Sequence, residues 1–365
     1  MKQGKAHART TTIDCTIVIP TRERHAKLER CLRSLAGLDL NGSAVEVLVS
    51  IDGPDTGEGD LVRRLGVELD GPLARTTRVI EGVKEGGGPG RARNRAIEQA
   101  TGRLLLLLND DVAAERDLVT QHLAAHADRT LPAMVLGDSP WVVSQTENQP
   151  DRLFDRLIRE TSMVFFYDQM PPHAGPTDPQ HDWGFRHAWT LNLSIPTMIA
   201  RAGGGFCEDL PAAAFEDLEW AWRVQRGTGA PVLFRPSAVV HHEHRYEPAD
   251  YLKREHRLGR DAWALAKANP ACGRDLFGRD VRSAEEIEYS RAFVERERST
   301  AMKLEAEFLG LADLPASAVD SHDVLKLVYS QHLLLKRWHW RRGLLAAAAA
   351  DSEFAERAGG PVHAA

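Results

Sequence analysis

A run of five leucines, Leu104–Leu108, ends directly at Asn109-Asp110-Asp111, and it constrains the fold of this chain more than any other stretch. The run is short and has no polar alternation, so it predicts a central strand of a parallel sheet that helices cover on both faces. Ligands in such sheets bind beyond the carboxyl ends of the strands, and hard divalent cations take carboxylate oxygens. The acidic residues therefore indicate a metal site, with an Asx turn or helix cap as the open alternative.

Composition excludes several classes of protein. The 365 residues are 43% hydrophobic and 27% charged, enough for one large domain and a smaller one. A formal charge of −6 gives no reason to expect a nucleic-acid partner. The four cysteines form no Cys-x-x-Cys pair, which argues against a zinc ribbon and fits a reducing cytosol. No signal peptide or membrane span is expected, so we predict a cytoplasmic protein, with peripheral contact to the inner face of a membrane as an option.

That option rests on residues 333–342, where leucines adjoin basic residues and two tryptophans. Such a segment is found in some helices that lie in a membrane interface. The favoured alternative is a terminal helix that packs on its own domain or on the partner of a homodimer.

Short apolar runs alternate with helical periodicity over the first 112 residues, which is typical of βαβ units. We expect strands at 15–19, 45–51, 78–80 and the leucine run. The helix after the first strand should bury Leu28, Cys31, Leu32 and Leu35, and the helix after the glycine-rich residues 86–90 should bury Ala92, Ala96, Ile97 and Ala100.

The second half is less regular. Residues 140–190 are expected to form loops over the active face of the sheet, with a helix near Leu153–Glu160. A strand at 191–195, a helix at 216–225 and a strand pair at 231–241 should follow. Past Pro248 the chain should be helical. Its buried candidates are Phe293, Met302, Leu304 and Phe308.

Four polar segments lie where strands of one sheet should end, and they should converge on one edge. These segments are Pro20-Thr21-Arg22-Glu23, Asp52-Gly53, Gly90-Arg91-Ala92-Arg93-Asn94 and Asn109-Asp110-Asp111. Carboxylates can accept hydrogen bonds from a base or ribose, and arginines at a helix start suit a diphosphate. Neither Gly-x-Gly-x-x-Gly after the first strand nor a P-loop is present, so a nucleotide site of another design is indicated.

Two further clusters of polar residues could serve a function or could have a purely structural explanation. Glu216, Asp217 and Glu219 begin a helix, where the helix dipole alone would favour carboxylates. His242 and His244 should share one strand face, while His241 points to the other. A surface histidine pair is the alternative to a ligand pair.

The order and spacing of these motifs resemble nucleotide-sugar glycosyltransferases of the GT-A fold, specifically the inverting family 2. The resemblance covers about residues 15–245. The motifs that carry it are Ile19-Pro20-Thr21, Val49-Ser50-Ile51-Asp52-Gly53, Ala92-Arg93-Asn94, Leu108-Asn109-Asp110-Asp111-Val112, Gly204-Gly205-Phe206, Glu216-Asp217 and Ala238-Val239-Val240-His241-His242.

The resemblance implies a role for each matching position. Asp111 and His242 would bind Mn²⁺ or Mg²⁺, and Asp217 would be the general base, with Glu216 orienting it or contacting the acceptor. The implied donor-binding residues are Pro20, Thr21, Arg22, Glu23, Asp52, Arg91, Arg93, Asn94, Asn109 and Asp110. Asn109 replaces the first Asp of the usual Asp-x-Asp motif, which removes one negative charge. The expected donor is a UDP-sugar, and the acceptor is a hydroxyl compound.

The domain interpretation follows from the same resemblance. Residues 1–13 would be a flexible tail, and 14–247 a GT-A domain with a nucleotide half at 14–112 and an acceptor half at 113–247. Residues 248–365 would be a helical region. Two other functions stay open: a donor-binding protein with impaired catalysis, suggested by Asn109, and a non-haem iron oxygenase built on His181, Asp182 and His187.

Overall fold

The structure is a computed structural model, and it describes residues 12–69, 73, 76–83, 85–127, 129–142, 150–210 and 214–351. Residues 1–11 of the predicted tail lie outside the described residues. Residues 143–149 of the irregular middle segment lie outside them as well.

Eight strands among the described residues form one mixed sheet in the order β3-β2-β1-β4-β7-β6-β8-β5. They are β1 (Cys15–Thr21), β2 (Val45–Ile51), β3 (Thr77–Ile80), β4 (Leu104–Leu108), β5 (Val112–Ala114), β6 (Met134–Asp138), β7 (Asn192–Pro196) and β8 (Val232–His242). Strands β1 to β4 run parallel to one another where they pair. Strand β7 is antiparallel to both β4 and β6, and β5 is antiparallel to β8.

The leucine run forms the central strand β4, with all five side chains 5% exposed or less. Its neighbours are β1, which is parallel, and β7, which is antiparallel. Burial on both faces explains why the run contains no polar residue. The predicted central strand is confirmed. The predicted parallel pairing is found with β1 only, because β7 on the other side runs antiparallel.

Helices cover the sheet and form the C-terminal region. They are α1 (His25–Ala36), α2 (Glu58–Glu68), α3 (Pro89–Gln99), α4 (Leu118–Ala127), α5 (Leu153–Glu160), α6 (Thr197–Ala202), α7 (Glu216–Thr228), α8 (Pro248–Ala268), α9 (Pro270–Phe277), α10 (Ala284–Arg296), α11 (Arg298–Leu309) and α12 (His322–Ala350). The predicted apolar faces of α1 and α3 are buried, so both helices pack on the sheet as the spacing indicated.

Three predictions about elements were wrong. Residues 231–241 form one strand instead of two, because β8 is long enough to pair with β6 and then with β5. Strand β1 continues through Pro20 to Thr21, since Pro20 occupies the end of the strand in register with Ser50. Met302 is 62% exposed, whereas Phe293 and Phe308 are buried as expected. The short strands β5 and β6 were missed.

The helical region past Pro248 is confirmed, and α8 and α12 approach each other closely. A Cβ added at Gly259 would collide with the carbonyl of Trp340, and one at Gly343 would collide with that of His256. Leu335 and Trp338 are buried in this region. The segment 333–342 therefore packs on its own chain, and contact with a membrane or a second copy stays a prediction. None of the described helices combines the length and apolarity needed to cross a bilayer.

Candidate active site

A cleft of about 530 Å³ opens at the carboxyl ends of β1, β2 and β4. Eleven of the predicted site residues line it: Pro20, Thr21, Arg22, Asp52, Arg93, Asn109, Asp110, Asp111, Glu216, Asp217 and His242. The polar segments converge because parallel strands place their carboxyl ends at one edge.

One wall of the cleft carries a cluster of possible metal ligands, Asp111, His242 and His244, whose ligand atoms all lie within 4.8 Å of one another. The cluster exists because β5 pairs with β8, which sets Val112 opposite His242. The Nε2 atom of His242 lies 3.4 Å from Oδ1 of Asp111, and Nδ1 of His244 lies 3.4 Å from Oδ2.

The donor set fits a divalent cation. Oδ1 of Asp111 is buried and has no hydrogen-bond partner among the described residues. An unpartnered carboxylate oxygen beside two imidazoles is the combination that Mn²⁺ or Zn²⁺ accepts, and carboxylate oxygen also suits Mg²⁺. The cluster can therefore hold a metal.

Two cations share this wall with the carboxylates. Arg24 donates to Oδ1 of Asp110 at 2.6 Å and to Oδ2 of Asp111 at 2.5 Å. The Lys27 Nζ atom lies 3.8 Å from the same Oδ2. Burial would raise the pKa of Asp111, but the neighbouring His242, the hydrogen bond of His244 and the charge of Arg24 outweigh it and hold the pKa well below its usual range. Asp111 is thus a carboxylate kept ionised.

The neighbouring Asp110 has a different environment. Its Oδ2 accepts a hydrogen bond from Thr21 at 2.8 Å, and the side chain is 3% exposed. Burial raises the pKa of Asp110 to about 6, against the opposing charge of Arg24. The hydrogen bond from Thr21 ties the end of β1 to the acidic segment after β4.

Asp52 organises the glycine-rich loop before α3. Its Oδ1 accepts from the backbone N–H of Gly87 at 2.7 Å and from that of Gly88 at 3.0 Å. Gly88 has a φ of 88°, which favours glycine. Asp52 also lines the cleft, so a carboxylate that the resemblance implies to be donor-binding also fixes a loop beside the cleft.

Arg93 connects the two halves of the cleft. It is 2% exposed, donates to Oδ1 of Asn109 at 2.8 Å, and places Nη1 3.5 Å from Oε1 of Glu216. Its Nε and Nη1 atoms have no hydrogen-bond partner among the described residues. Asn109 accepts a hydrogen bond from Arg93, but its amide is uncharged and does not neutralise the guanidinium. The positive charge of Arg93 therefore acts on the carboxylates at the start of α7.

Glu216 and Asp217 are the first two residues of α7, and both line the cleft. The Oε2 atom of Glu216 accepts from the Ala214 N–H at 2.9 Å. Burial, and next the negative charge of Glu216, raise the pKa of Asp217 to about 7, against the pull of Arg93. A carboxylate with such a pKa can take a proton at neutral pH.

Three predicted donor residues do not line the cleft. The side chain of Glu23 is 61% exposed, and Arg91 pairs with Glu208 at 3.0 Å. Asn94 holds the Phe206 backbone, accepting from its N–H at 2.7 Å and donating to its carbonyl at 2.9 Å. That bond fixes the turn after Gly203–Gly205, and the donor role of these residues stays a prediction.

Several residues in the cleft were missed. The sequence does flag His244, which shares a strand face with His242, but Arg24 and Lys27 give no signal of their own. The aromatic side chains of Phe165, Trp189 and Tyr246 also line the cleft, and α8 contributes Arg254 and Arg257 from the helical region.

The oxygenase alternative finds no support in this geometry. Asp182 accepts hydrogen bonds from the N–H groups of Gly184 and Val232, and His187 Nδ1 lies 2.7 Å from the Trp183 carbonyl oxygen. Among the described residues the one group with metal-ligand spacing is that of Asp111.

Comparison with known proteins identifies glycosyltransferases among the similar sequences. Residues 16–191 match glycosyl transferase family 2. The chain is 30% identical over 223 residues to validoxylamine A glucosyltransferase of Streptomyces hygroscopicus subsp. limoneus, covering 57% of this chain and 47% of that protein. It is 26% identical over 262 residues to the pre-mycofactocin glycosyltransferase of Mycobacterium tuberculosis (strain CDC 1551 / Oshkosh), covering 70% and 48%. The chain spans about half the length of these curated relatives.

In fold, the chain is similar to the mannosyltransferase of Pyrobaculum calidifontis, solved in complex with GDP-Man and Mn²⁺. The TM-score is 0.54 at 17% identity, and the match covers 93% of this chain and 87% of the other. The likeness confirms the predicted α/β GT-A fold with a helical C-terminal region.

Proposed function

The chain belongs to glycosyl transferase family 2 through residues 16–191, and we propose on that premise that it transfers a sugar from a nucleoside diphosphate sugar to a hydroxyl acceptor. The transfer is metal-dependent and inverts the anomeric configuration. The donor is a UDP-sugar. The observation that carries the proposal is a single cleft lined both by Asp111 with two histidines and by Asp217.

At the donor end, Asp111, His242 and His244 would hold Mn²⁺ or Mg²⁺. A bound divalent cation neutralises the negative charge that develops on a departing diphosphate. The low pKa of Asp111 supports this role, because a metal ligand has to be ionised. The mannosyltransferase with the similar fold was solved with Mn²⁺ and a nucleotide sugar.

At the acceptor end, Asp217 accepts the proton of the attacking hydroxyl. The acceptor oxygen forms a bond to the anomeric carbon while the bond from that carbon to the diphosphate oxygen breaks on the opposite face. A base is most effective when its pKa is near the working pH, and burial together with Glu216 raises the pKa of Asp217 to about 7. Glu216 and Arg93 act on this base by their charges.

The cleft also suits a ring-shaped substrate. The rings of Phe165 and Trp189 pack 5.1 Å apart at its wall, and Tyr246 also lines it. Aromatic faces bind the apolar faces of sugar rings well because they exclude water over a wide, flat area. The two curated relatives described above carry names of glycosyltransferases, which supports a sugar in the transfer.

The test is a thermal-shift screen of UDP-, GDP- and dTDP-sugars, each with and without Mn²⁺ or Mg²⁺, followed by assay of donor hydrolysis. We expect stabilisation by one nucleotide sugar that depends on the metal, and slow hydrolysis of that donor without an acceptor. Stabilisation by Fe²⁺ with 2-oxoglutarate and by no nucleotide would contradict the proposal. Binding without any hydrolysis would favour the impaired donor-binding protein.

A further inference from the structure

Arg24 supplies the closest counter-charge to the acidic pair of the cleft. Its Nη1 and Nη2 atoms bridge Asp110 and Asp111 at 2.6 and 2.5 Å. We propose that Arg24 is an internal counter-ion that a divalent cation must displace, so that it sets the metal affinity of the Asp111 cluster and couples metal binding to diphosphate binding. This inference rests on the proposed function, since it takes Asp111 as the metal ligand.

The competition is for one oxygen atom. Oδ2 of Asp111 accepts from Arg24 and is also the atom that faces His244 at 3.4 Å. Oδ1 lies free of hydrogen bonds beside His242. A cation that engages all three ligands shares Asp111 with a guanidinium, and two positive charges on one buried carboxylate repel each other strongly. Binding therefore favours departure of the guanidinium.

Arg24 is the partner that can move. The side chains of Asp110 and Asp111 are 3% and 4% exposed, whereas that of Arg24 is 36% exposed. The backbone of Arg24 is fixed at the start of α1, because its carbonyl accepts from the N–H groups of Lys27 and Leu28. The long side chain can thus swing without any change in the helix. Lys27, one turn further on, keeps a positive charge 3.8 Å from Asp111.

The released guanidinium stays in the cleft, where Arg22 and Lys27 also lie. Arginine binds phosphate oxygens through paired hydrogen bonds, so a diphosphate offers Arg24 a replacement for the two carboxylates. A metal on Asp111 and a diphosphate in the cleft both favour the same displaced position of Arg24. Two ligands that favour one state bind cooperatively, and each raises the affinity of the other by the same factor.

The experiment measures the Kd of Mn²⁺ by electron paramagnetic resonance on the full chain, first without nucleotide and then with UDP. We expect Arg24→Gln to tighten the Kd without nucleotide by about tenfold or more, since it removes charge-assisted hydrogen bonds that compete for Asp111. The gain in Mn²⁺ affinity that UDP produces should shrink in the same variant. Arg24→Lys keeps the charge but cannot bridge both carboxylates. Its Kd for Mn²⁺ should therefore lie between those of the unmodified protein and Arg24→Gln.

Arg33→Gln is the matched control. It makes the same change of charge within α1, the helix that Arg24 precedes, and Arg33 pairs there with Glu29 and Glu68 outside the cleft. Its Mn²⁺ affinity should equal that of the unmodified protein. Circular dichroism establishes that each variant is folded.

Three outcomes would overturn the inference. Equal Kd values for the unmodified protein and Arg24→Gln, with binding lost in His242→Ala, would remove the role of Arg24 and leave the metal site intact. Weaker binding in Arg24→Gln would mean that Arg24 supports the metal. No Mn²⁺ binding by any variant, with or without UDP, would overturn the metal-dependent part of the proposed function as well.

Discussion

Asp111 and Asp217 line the same cleft, yet their surroundings push their pKa values in opposite directions. Two histidines and Arg24 outweigh the burial of Asp111 and hold its pKa well below the usual range. Burial and the adjacent Glu216 raise the pKa of Asp217 to about 7. Carboxylates whose pKa values are driven apart suit different tasks, and the proposed function assigns Asp111 the task of a permanent anion and Asp217 that of a proton acceptor.

The difference arises from the elements that carry the two residues. Asp111 lies between the end of β4 and the start of β5, where β8 supplies imidazoles and α1 supplies cations. Asp217 lies in the first turn of α7 beside a second carboxylate, and the positive charge that acts against this carboxylate is that of Arg93. One strand end therefore collects positive charge while the helix start collects negative charge.

The largest expected effect is on turnover. Asp217→Asn removes the proton acceptor without touching the metal cluster, so kcat for transfer should fall by about 10²–10⁴-fold. The Kd of UDP with Mn²⁺ should change little. Asp60→Asn, an exposed carboxylate of α2 that pairs with Arg63, is the control. A kcat within a factor of three of the unmodified protein would remove Asp217 from the mechanism.

The second effect is on metal affinity. Asp111→Asn removes the ionised ligand, and the Kd of Mn²⁺ in the presence of UDP should weaken by at least the 10–100-fold that loss of an outer partner causes at metal sites. Isothermal titration calorimetry measures it. Asp110→Asn should weaken Mn²⁺ binding less, because Asp110 is bonded to Thr21 and Arg24 and lies outside the ligand cluster. Equal losses in both variants would contradict the assignment of the ligands.

The third effect is on the pH profile. The protonated form of Asp217 cannot accept a proton, so kcat/KM should fall as the pH falls through about 7. Glu216→Gln removes the negative charge that raises this pKa and leaves Arg93 to act on Asp217 alone. The acid limb should then move to lower pH. A limb that stays in place, or moves upward, would mean that another group controls the rate.

The smallest effect is on stability, and its sign should differ between the two carboxylates. The pKa of Asp217 is higher in the folded chain than the unfolded value near 3.9, so its ionisation costs stability as the pH rises from about 4 to 7. Asp217→Asn should therefore raise the Tm at pH 8 by about 1–3 °C, and the gain should vanish near pH 4.

Asp111 should behave in the opposite way. Its pKa is lower in the folded chain, so it contributes stability above the unfolded pKa that is lost as the pH falls through the folded pKa. Asp111→Asn should lower the metal-free Tm at pH 8. Differential scanning calorimetry without metal compares the two variants, and shifts of the same sign would break the comparison.

Much of the structure of residues 14–112 could be predicted because most of its strands and helices are regular. Strand β2 and the leucine strand have the predicted bounds, and the residues after them meet in the cleft as parallel strand ends should. No local pattern showed that Asp111 lies beside His242, and only the family resemblance implied it. That contact depends on β5, which has three residues and pairs with a strand far along the chain.

Arg24 shows the same limit. It directly follows the predicted segment Pro20 to Glu23, but its partners lie 86 and 87 residues away. No local pattern marks an arginine that finds its role through tertiary contact. The contribution of the helical region to the cleft could not be predicted either, because Arg254 and Arg257 reach the cleft only through the packing of α8.

The most direct test of the account is the anomalous diffraction of Mn²⁺ in crystals grown with Mn²⁺ and UDP. We predict one strong peak bonded to Asp111, His242 and His244, with the diphosphate in the same cleft that Asp217 lines. A manganese peak away from Asp111, or a nucleotide bound outside this cleft, would contradict it.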